Sequence, residues 1–369
     1  MFKEETTKKM EHKLKQVVGE VYGYKLLRMY KKLRFRIHGW CYDPIRENEW
    51  RDPYYASKYR PGGGRYYVFR FVYGGVGIFD CIKNFIVSAQ WAEENGYIPL
   101  VSFERLETFQ NGEIYKDNFW DKIYLPYQGK KICDVINNDL VIVDNVGTNQ
   151  KVPIKGIKSI EFSERYAKDY WNRVGMLYEK YCVLLPKVKE LYNENIEKLF
   201  PQGKKVLGVC IREGFGIANE VNLGPLRTKE LRETNPKEPS IDHILDIVTE
   251  LLEEWKCDYI YLSAQFLDSI SLFQKVFPGK VLFYDREYIS RKDYIDAYNK
   301  MQEDCLNMDN IDNIYISSTE KIMRDYVGQI YALAECDSLI ATDSGGTRGA
   351  LMISHGNYEH VKVFQTQVW

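Results

Sequence analysis

Ser338-Leu339-Ile340-Ala341-Thr342-Asp343-Ser344-Gly345-Gly346-Thr347-Arg348 passes from a short apolar run through small and polar residues into a helical pattern. The run 338–341 reads as a buried strand. Gly346 to Ser354 reads as the helix that follows it. Upstream, the same alternation recurs. Strands are predicted at 206–211, 259–262 and 281–284, and at 361–364 downstream. Helices are predicted from Ser240, as cap, to Trp255, over 267–276 and over 320–335. Strands alternating with helices imply a parallel sheet covered on both faces.

The first half repeats the theme. Tyr66 to Val72 reads as a strand, Gly74-Gly75-Val76-Gly77 as a turn, 78–95 as a helix capped by Gly96, and Ile98 to Val101 as the next strand. A further strand is predicted at 140–143, and 161–199 as helix in two pieces broken at Pro186. Pro201-Gln202-Gly203 reads as a junction. The fold class is therefore α/β, with two Rossmann-like halves facing across a cleft. The expected division is a helical arm over 1–40, a first α/β domain over 41–200 and a second over 201–369.

The chain has 369 residues, a formal net charge of −1 and 14% aromatic residues. Two domains of ordinary size fit that length. A near-neutral total argues against a general nucleic-acid binder. It hides an asymmetry, because residues 1–40 carry eleven Lys and Arg against four acids, which leaves +7 there and −8 elsewhere. Residues 3–35 show a helical period, so this arm reads as a basic amphipathic helix. Peripheral contact of residues 1–36 with an anionic membrane is one expectation. A solvated helix packed on the first domain is the other. No secretory leader or membrane span is read, and eight scattered cysteines fit reduced thiols in the cytoplasm. No His or Cys spacing suggests a metal, and no cofactor is expected.

Ligands of open parallel sheets bind beyond the carboxyl ends of the strands. Arg212, directly after the strand 206–211, suits an anion, since its guanidinium binds such groups bidentately. The turn Asp343, Ser344, Gly345, Gly346, Thr347 and Arg348 exposes backbone N–H groups at the positive end of a helix dipole, and suits a phosphate. It lacks the Gly-Lys-Ser/Thr of a Walker loop. The polar strand end at Ser263-Ala264-Gln265 is a weaker candidate. Gly75 and Gly77 fit a tight turn better than a dinucleotide fingerprint, whose third glycine is replaced by Asp80. Two anion-directed loops in one half point to a phosphorylated ligand, with nucleoside diphosphates the usual kind. The chain has no Asp-x-Asp, so a leaving diphosphate would be neutralised by Arg and backbone N–H.

These stretches resemble the GT-B fucosyltransferase superfamily of α1,6-, α1,2- and protein O-fucosyltransferases. Val209-Cys210-Ile211-Arg212 is similar to its His-x-Arg strand end, and 334–348 to its Cys-Asp strand, Ser-rich turn and Arg. Residues 74–100 are similar to its first glycine turn, helix and strand. The three occur in the family's order over roughly residues 66–355. The resemblance implies inverting, metal-independent transfer of a sugar from a nucleotide sugar to a glycan or lipid-linked glycan, with GDP-fucose the first guess. It places Arg212 on the donor diphosphate and Ser344, Gly345 and Gly346 under the β-phosphate. Glu220, eight residues after Arg212, falls on the position of the proposed base in the α1,6 branch. The chain departs from the family at Cys210, Glu213, Gln265, Phe266 and Gln329, where a His, an Arg and acids are usual.

Arg324 and Arg348 are further candidates for stabilising the leaving charge, and Arg348 reads equally as a cover for its helix. Tyr66, Tyr67, Tyr73 and Trp91 are candidates for stacking on an acceptor sugar. Two other readings stay open: a non-catalytic carbohydrate- or nucleotide-binding assembly protein on the same fold, and, more remotely, a dehydrogenase.

Overall fold

The computed structural model describes residues 66–72, 78–94, 97–104, 118–131, 141–145, 168–213, 239–296 and 320–364. The basic arm 1–40, Tyr73, Gly75, Gly77 and Glu220 lie outside the described residues. So do the side chains of Tyr67 and Trp91.

Two parallel sheets organise the chain. The first is built from β1 (Tyr66–Val72), β2 (Ile98–Glu104) and β3 (Val141–Asn145), in the order β2-β1-β3, with α1 (Ile78–Glu94) crossing between β1 and β2. Two helices follow, α2 (Lys168–Tyr181) and α3 (Pro186–Leu199). Pro186 stands in the first turn of α3, where the missing N–H costs nothing, so the proline starts the second helix and separates it from the first.

The second sheet has the order β6-β5-β4-β7-β8, from β4 (Val206–Cys210), β5 (Tyr259–Ser263), β6 (Val281–Leu282), β7 (Ser338–Thr342) and β8 (His360–Phe364). All its pairings are parallel. The connecting helices are α4 (Ile241–Glu254), α5 (Leu267–Val276), α6 (Glu320–Ala334) and α7 (Gly345–Ile353). β4 and β7 are buried at every residue, which is why both read as unbroken apolar runs. The chain winds outward through β5 and β6, then returns to the other side of β4 as β7 and β8. That reversal makes the carboxyl ends of β4 and β7 the topological switch point, where open parallel sheets place their ligands.

Two strands are shorter than the sequence predicts. β4 ends at Cys210, and β6 ends at Leu282. After β6 the chain turns inward, burying Tyr284, whose hydroxyl accepts from Asn195 Nδ2 at 2.8 Å. The predicted boundary at 200–201 falls between α3 and β4, yet α3 packs on the layer of the second sheet: Tyr192 donates to the Arg324 carbonyl at 2.8 Å.

An apolar core runs through both halves, beside a separate cluster where α4 and α5 meet the second sheet. It joins Phe69 of β1, Phe79 and Phe85 of α1, Trp171 and Tyr178 of α2, Cys210 of β4 and Leu351 of α7. Much of the aromatic surplus is here. Tyr124, Tyr178 and Tyr331 link hydroxyl to hydroxyl at 3.0 and 2.9 Å. Burial pushes the Tyr124 and Tyr178 phenols well up, so these rings serve as neutral hydrogen-bonded core. Helix α7 approaches α1 closely at Gly349, where a Cβ would lie 2.5 Å from the Phe79 ring. Among the described residues, no helix is long and apolar enough to cross a membrane.

Candidate functional site

The site grows from the turn between β7 and α7. Ser344 is extended and caps α7, its Oγ accepting from the Thr347 N–H at 3.2 Å. Thr347 Oγ1 donates to the Thr342 carbonyl at 2.6 Å, and the Arg348 N–H closes on the Ser344 carbonyl at 3.1 Å. Gly345 and Gly346 supply the two N–H groups ahead of these bonds, where a helix has no partner of its own. Both glycines are closely approached by their neighbours. A Cβ at Gly345 would meet Asp80 Oδ2 at 2.9 Å, and one at Gly346 would meet the Tyr326 hydroxyl at 3.1 Å. The result is a small cradle of donors at the positive end of α7.

β4 is tied to this cradle. The Arg212 N–H donates to Thr342 Oγ1 at 2.9 Å, so Arg212 leaves the sheet beside the Ser344 turn. Cys210, paired in register with Ser263 on one side and Ala341 on the other, lines the floor. Its Sγ lies 4.0 Å from Ser344 Oγ. Burial pushes the Cys210 thiol up, which keeps it protonated and unreactive. Arg212, Cys210, Ser344, Gly345, Gly346 and Thr347 therefore come together.

Arg348 does not join them as an unpaired cation. Its guanidinium is held by Asp80 of α1 and by Asp343, the latter at 2.7 Å. Two carboxylates neutralise it, and it ties α7 to the first turn of α1. Arg324 lies on α6 toward α3, where its charge acts on Tyr192 and Tyr284. Gln329 is only 1% exposed, and its Nε2 donates to the Ala264 carbonyl at 3.1 Å. Gln265 stands at the end of β5, with its backbone N–H held by Glu213. Tyr66 is half-buried in β1.

Sequence reasoning noted Glu213 only as a departure, and the structure gives it a role. The carboxylate is 9% exposed. It accepts from the Gln265 and Phe266 N–H groups, the latter at 2.9 Å, and from the Ser269 hydroxyl. Phe266 gives α5 no side-chain cap, so Glu213 fills that helix terminus with an internal anion. Burial pushes its carboxyl above the usual range, against the lowering pull of Ser269, Phe266 and Gln265.

The stability linked to this raised pKa is complete below the ordinary carboxylate value. It is lost as pH rises through the folded value. Glu213→Gln should therefore gain stability relative to the wild type as melting is followed from about pH 4 to about pH 8. Glu213→Ala should cost about 1–3 kcal/mol, because it strands buried donors. A pH-independent difference between Gln and Glu would refute the assignment.

Asp80 also escaped the sequence reading as a site residue. Asp80 carried one weak signal, an acid in the first turn of a helix. Among the described residues, no group of three His, Cys, Asp or Glu side chains is placed to hold a metal.

No family model and no curated protein matches the chain. Among solved structures it is similar to the NodZ α-1,6-fucosyltransferase soaked with GDP-fucose, with 12% identity, a TM-score of 0.39, and coverage of 78% of this chain and 92% of that one. The fucosyltransferase NodZ from Bradyrhizobium matches at 13% identity and a TM-score of 0.38, over 78% of this chain and 92% of that one. POFUT1 in complex with GDP matches at 10% identity and a TM-score of 0.38, over 81% of this chain and 98% of that one.

Proposed function

We propose that the chain is a glycosyltransferase that binds a nucleoside diphosphate sugar with its diphosphate on the α7 cradle beside Arg212. The observation that carries this reading is the convergence of two backbone donors, at Gly345 and Gly346, that make no hydrogen bond among the described residues, with the Arg212 strand end at the reversal point of a parallel sheet. In this reading an acceptor hydroxyl attacks the anomeric carbon from the face opposite the diphosphate. The bond from that carbon to the diphosphate oxygen breaks, and the configuration inverts. A carboxylate, with Glu220 first to be tested, takes the hydroxyl proton. Arg212 and the cradle take up the charge that grows on the leaving diphosphate.

GDP-fucose is the first donor to try, and a glycan or lipid-linked glycan the first acceptor class. Incubation with a panel of nucleotide sugars and glycan acceptors, read by mass spectrometry, should show one sugar transferred. Binding of nucleoside diphosphates without any transfer would instead support the non-catalytic assembly protein. The division into a basic arm and two α/β domains accompanies this reading. Liposome co-sedimentation with and without residues 1–36 tests membrane contact, and equal pelleting would remove it.

A further inference from the structure

We infer that Glu213 is a positioning residue for Arg212: by anchoring the backbone one residue on, it holds Arg212 at the diphosphate. The inference rests on the diphosphate reading of the α7 cradle and adds to it the device that aims Arg212.

Three successive residues after β4 are tied to alternate sides. β4 ends at Cys210, yet the Ile211 N–H still donates to the Ser263 carbonyl of β5 at 3.2 Å. The Arg212 N–H turns the other way, to Thr342 Oγ1 of β7 at 2.9 Å. Glu213 then returns to the β5 side, where its carboxylate takes the Gln265 and Phe266 N–H groups and the Ser269 hydroxyl. The backbone of Arg212 is therefore clamped between the two strands that flank β4.

Both anchors are themselves fixed. Thr342 is 1% exposed, and its carbonyl accepts from Thr347 Oγ1 at 2.6 Å, so the first anchor belongs to the cradle. Phe266 is buried against Ile289 and Tyr294, and the Leu267 N–H donates to the Ile289 carbonyl at 3.0 Å, which holds the start of α5. A long side chain reaches its target reproducibly only when its own backbone is supported in this way.

Helix capping alone does not account for where this acid sits. A cap is ordinarily local, a Ser, Thr, Asp or Asn at the N-cap position. Phe266 stands there in α5, and the acceptor comes from 53 positions earlier, directly after Arg212. The next residue, Gly214, has no side chain that could replace it. A negative charge beside Arg212 also opposes an anionic ligand. Glu213 can therefore assist binding only through geometry, and this gives the test its sign.

The test is calorimetric titration of the full chain with pyrophosphate, for the wild type, Arg212→Ala, Glu213→Ala, Glu213→Gln and the double variant Arg212→Ala with Glu213→Ala. Arg212→Ala should weaken binding about tenfold, the worth of one hydrogen bond to a charged group. Glu213→Ala should weaken it about three- to tenfold, although loss of a negative charge alone would tighten it. In the Arg212→Ala background the same change should weaken it no further, which a merely structural role would not reproduce. Glu213→Gln keeps an acceptor oxygen, the Ser269 hydroxyl can turn to accept from its amide, and wild-type affinity should return. Unchanged or tighter binding in Glu213→Ala, equal weakening in both backgrounds, or a Gln variant as weak as Ala overturns the inference. Melting curves check that each variant folds. If Glu213→Ala does not fold, Glu213→Asp, one methylene shorter, takes its place in the cycle with the same deciding outcomes. Failure of the wild type to bind pyrophosphate overturns the diphosphate reading itself, and binding that Arg212→Ala leaves untouched removes Arg212 from it. Either result takes this inference with it.

Discussion

Arg212→Ala should lower kcat for sugar transfer by about 10²- to 10³-fold, the usual effect of losing one donor aimed at developing charge. KM for the donor should rise less. The side chain is lost, but the backbone N–H that donates to Thr342 remains, so the β4 end stays where it is. Any fall in melting temperature should therefore be small beside the loss of kcat. Steady-state kinetics beside a thermal melt separate the two effects. Full transfer activity in Arg212→Ala would remove Arg212 from the site. A comparable fall in melting temperature would make its role structural.

Gly349→Ala should destabilise the protein by about 1–3 kcal/mol through overpacking. The sign is the informative part. In an exposed helix interior the same change stabilises by about 1 kcal/mol, because alanine is the better helix former. Here the new Cβ would fall 2.5 Å from Phe79 Cγ, and Phe79 is fully buried on α1. The ring has nowhere to go without moving α1 or α7. Chemical denaturation should show the loss, and adding Phe79→Ala should make Gly349→Ala far less costly than it is alone. A stabilised Gly349→Ala would mean that α1 and α7 do not approach as described, and that the two sheets do not share one core.

Local chemistry made much of this legible in the sequence. Strands buried on both faces read as apolar runs, so β4, β5 and β7 fall within a residue or so of their predicted limits. Ser240 and Pro186 mark helix starts because such signals depend on neighbours three or fewer positions away. The cradle at 344–347 was visible for the same reason.

What the sequence hid depends on residues far apart along the chain. Arg348 reads as a phosphate ligand until Asp80, 268 positions earlier, is seen beside it. Glu213 finds its first donor 52 positions later at Gln265. Arg286 sits in no motif, and only the turn of the chain after the short β6 brings it to the Ala264 carbonyl. Gln329, a departure from the resembled family, holds the end of β5 through its buried amide. The helix-terminus cradle is thus local and legible in the sequence, whereas the contacts around the end of β5 are assembled from distant segments.

A crystal structure of the full chain grown with a nucleoside diphosphate would show where the diphosphate sits. Terminal phosphate oxygens should lie within hydrogen-bond distance of the Gly345 and Gly346 N–H groups, with the Arg212 guanidinium on the same diphosphate. A nucleotide bound elsewhere, with the α7 terminus untouched, would contradict this placement.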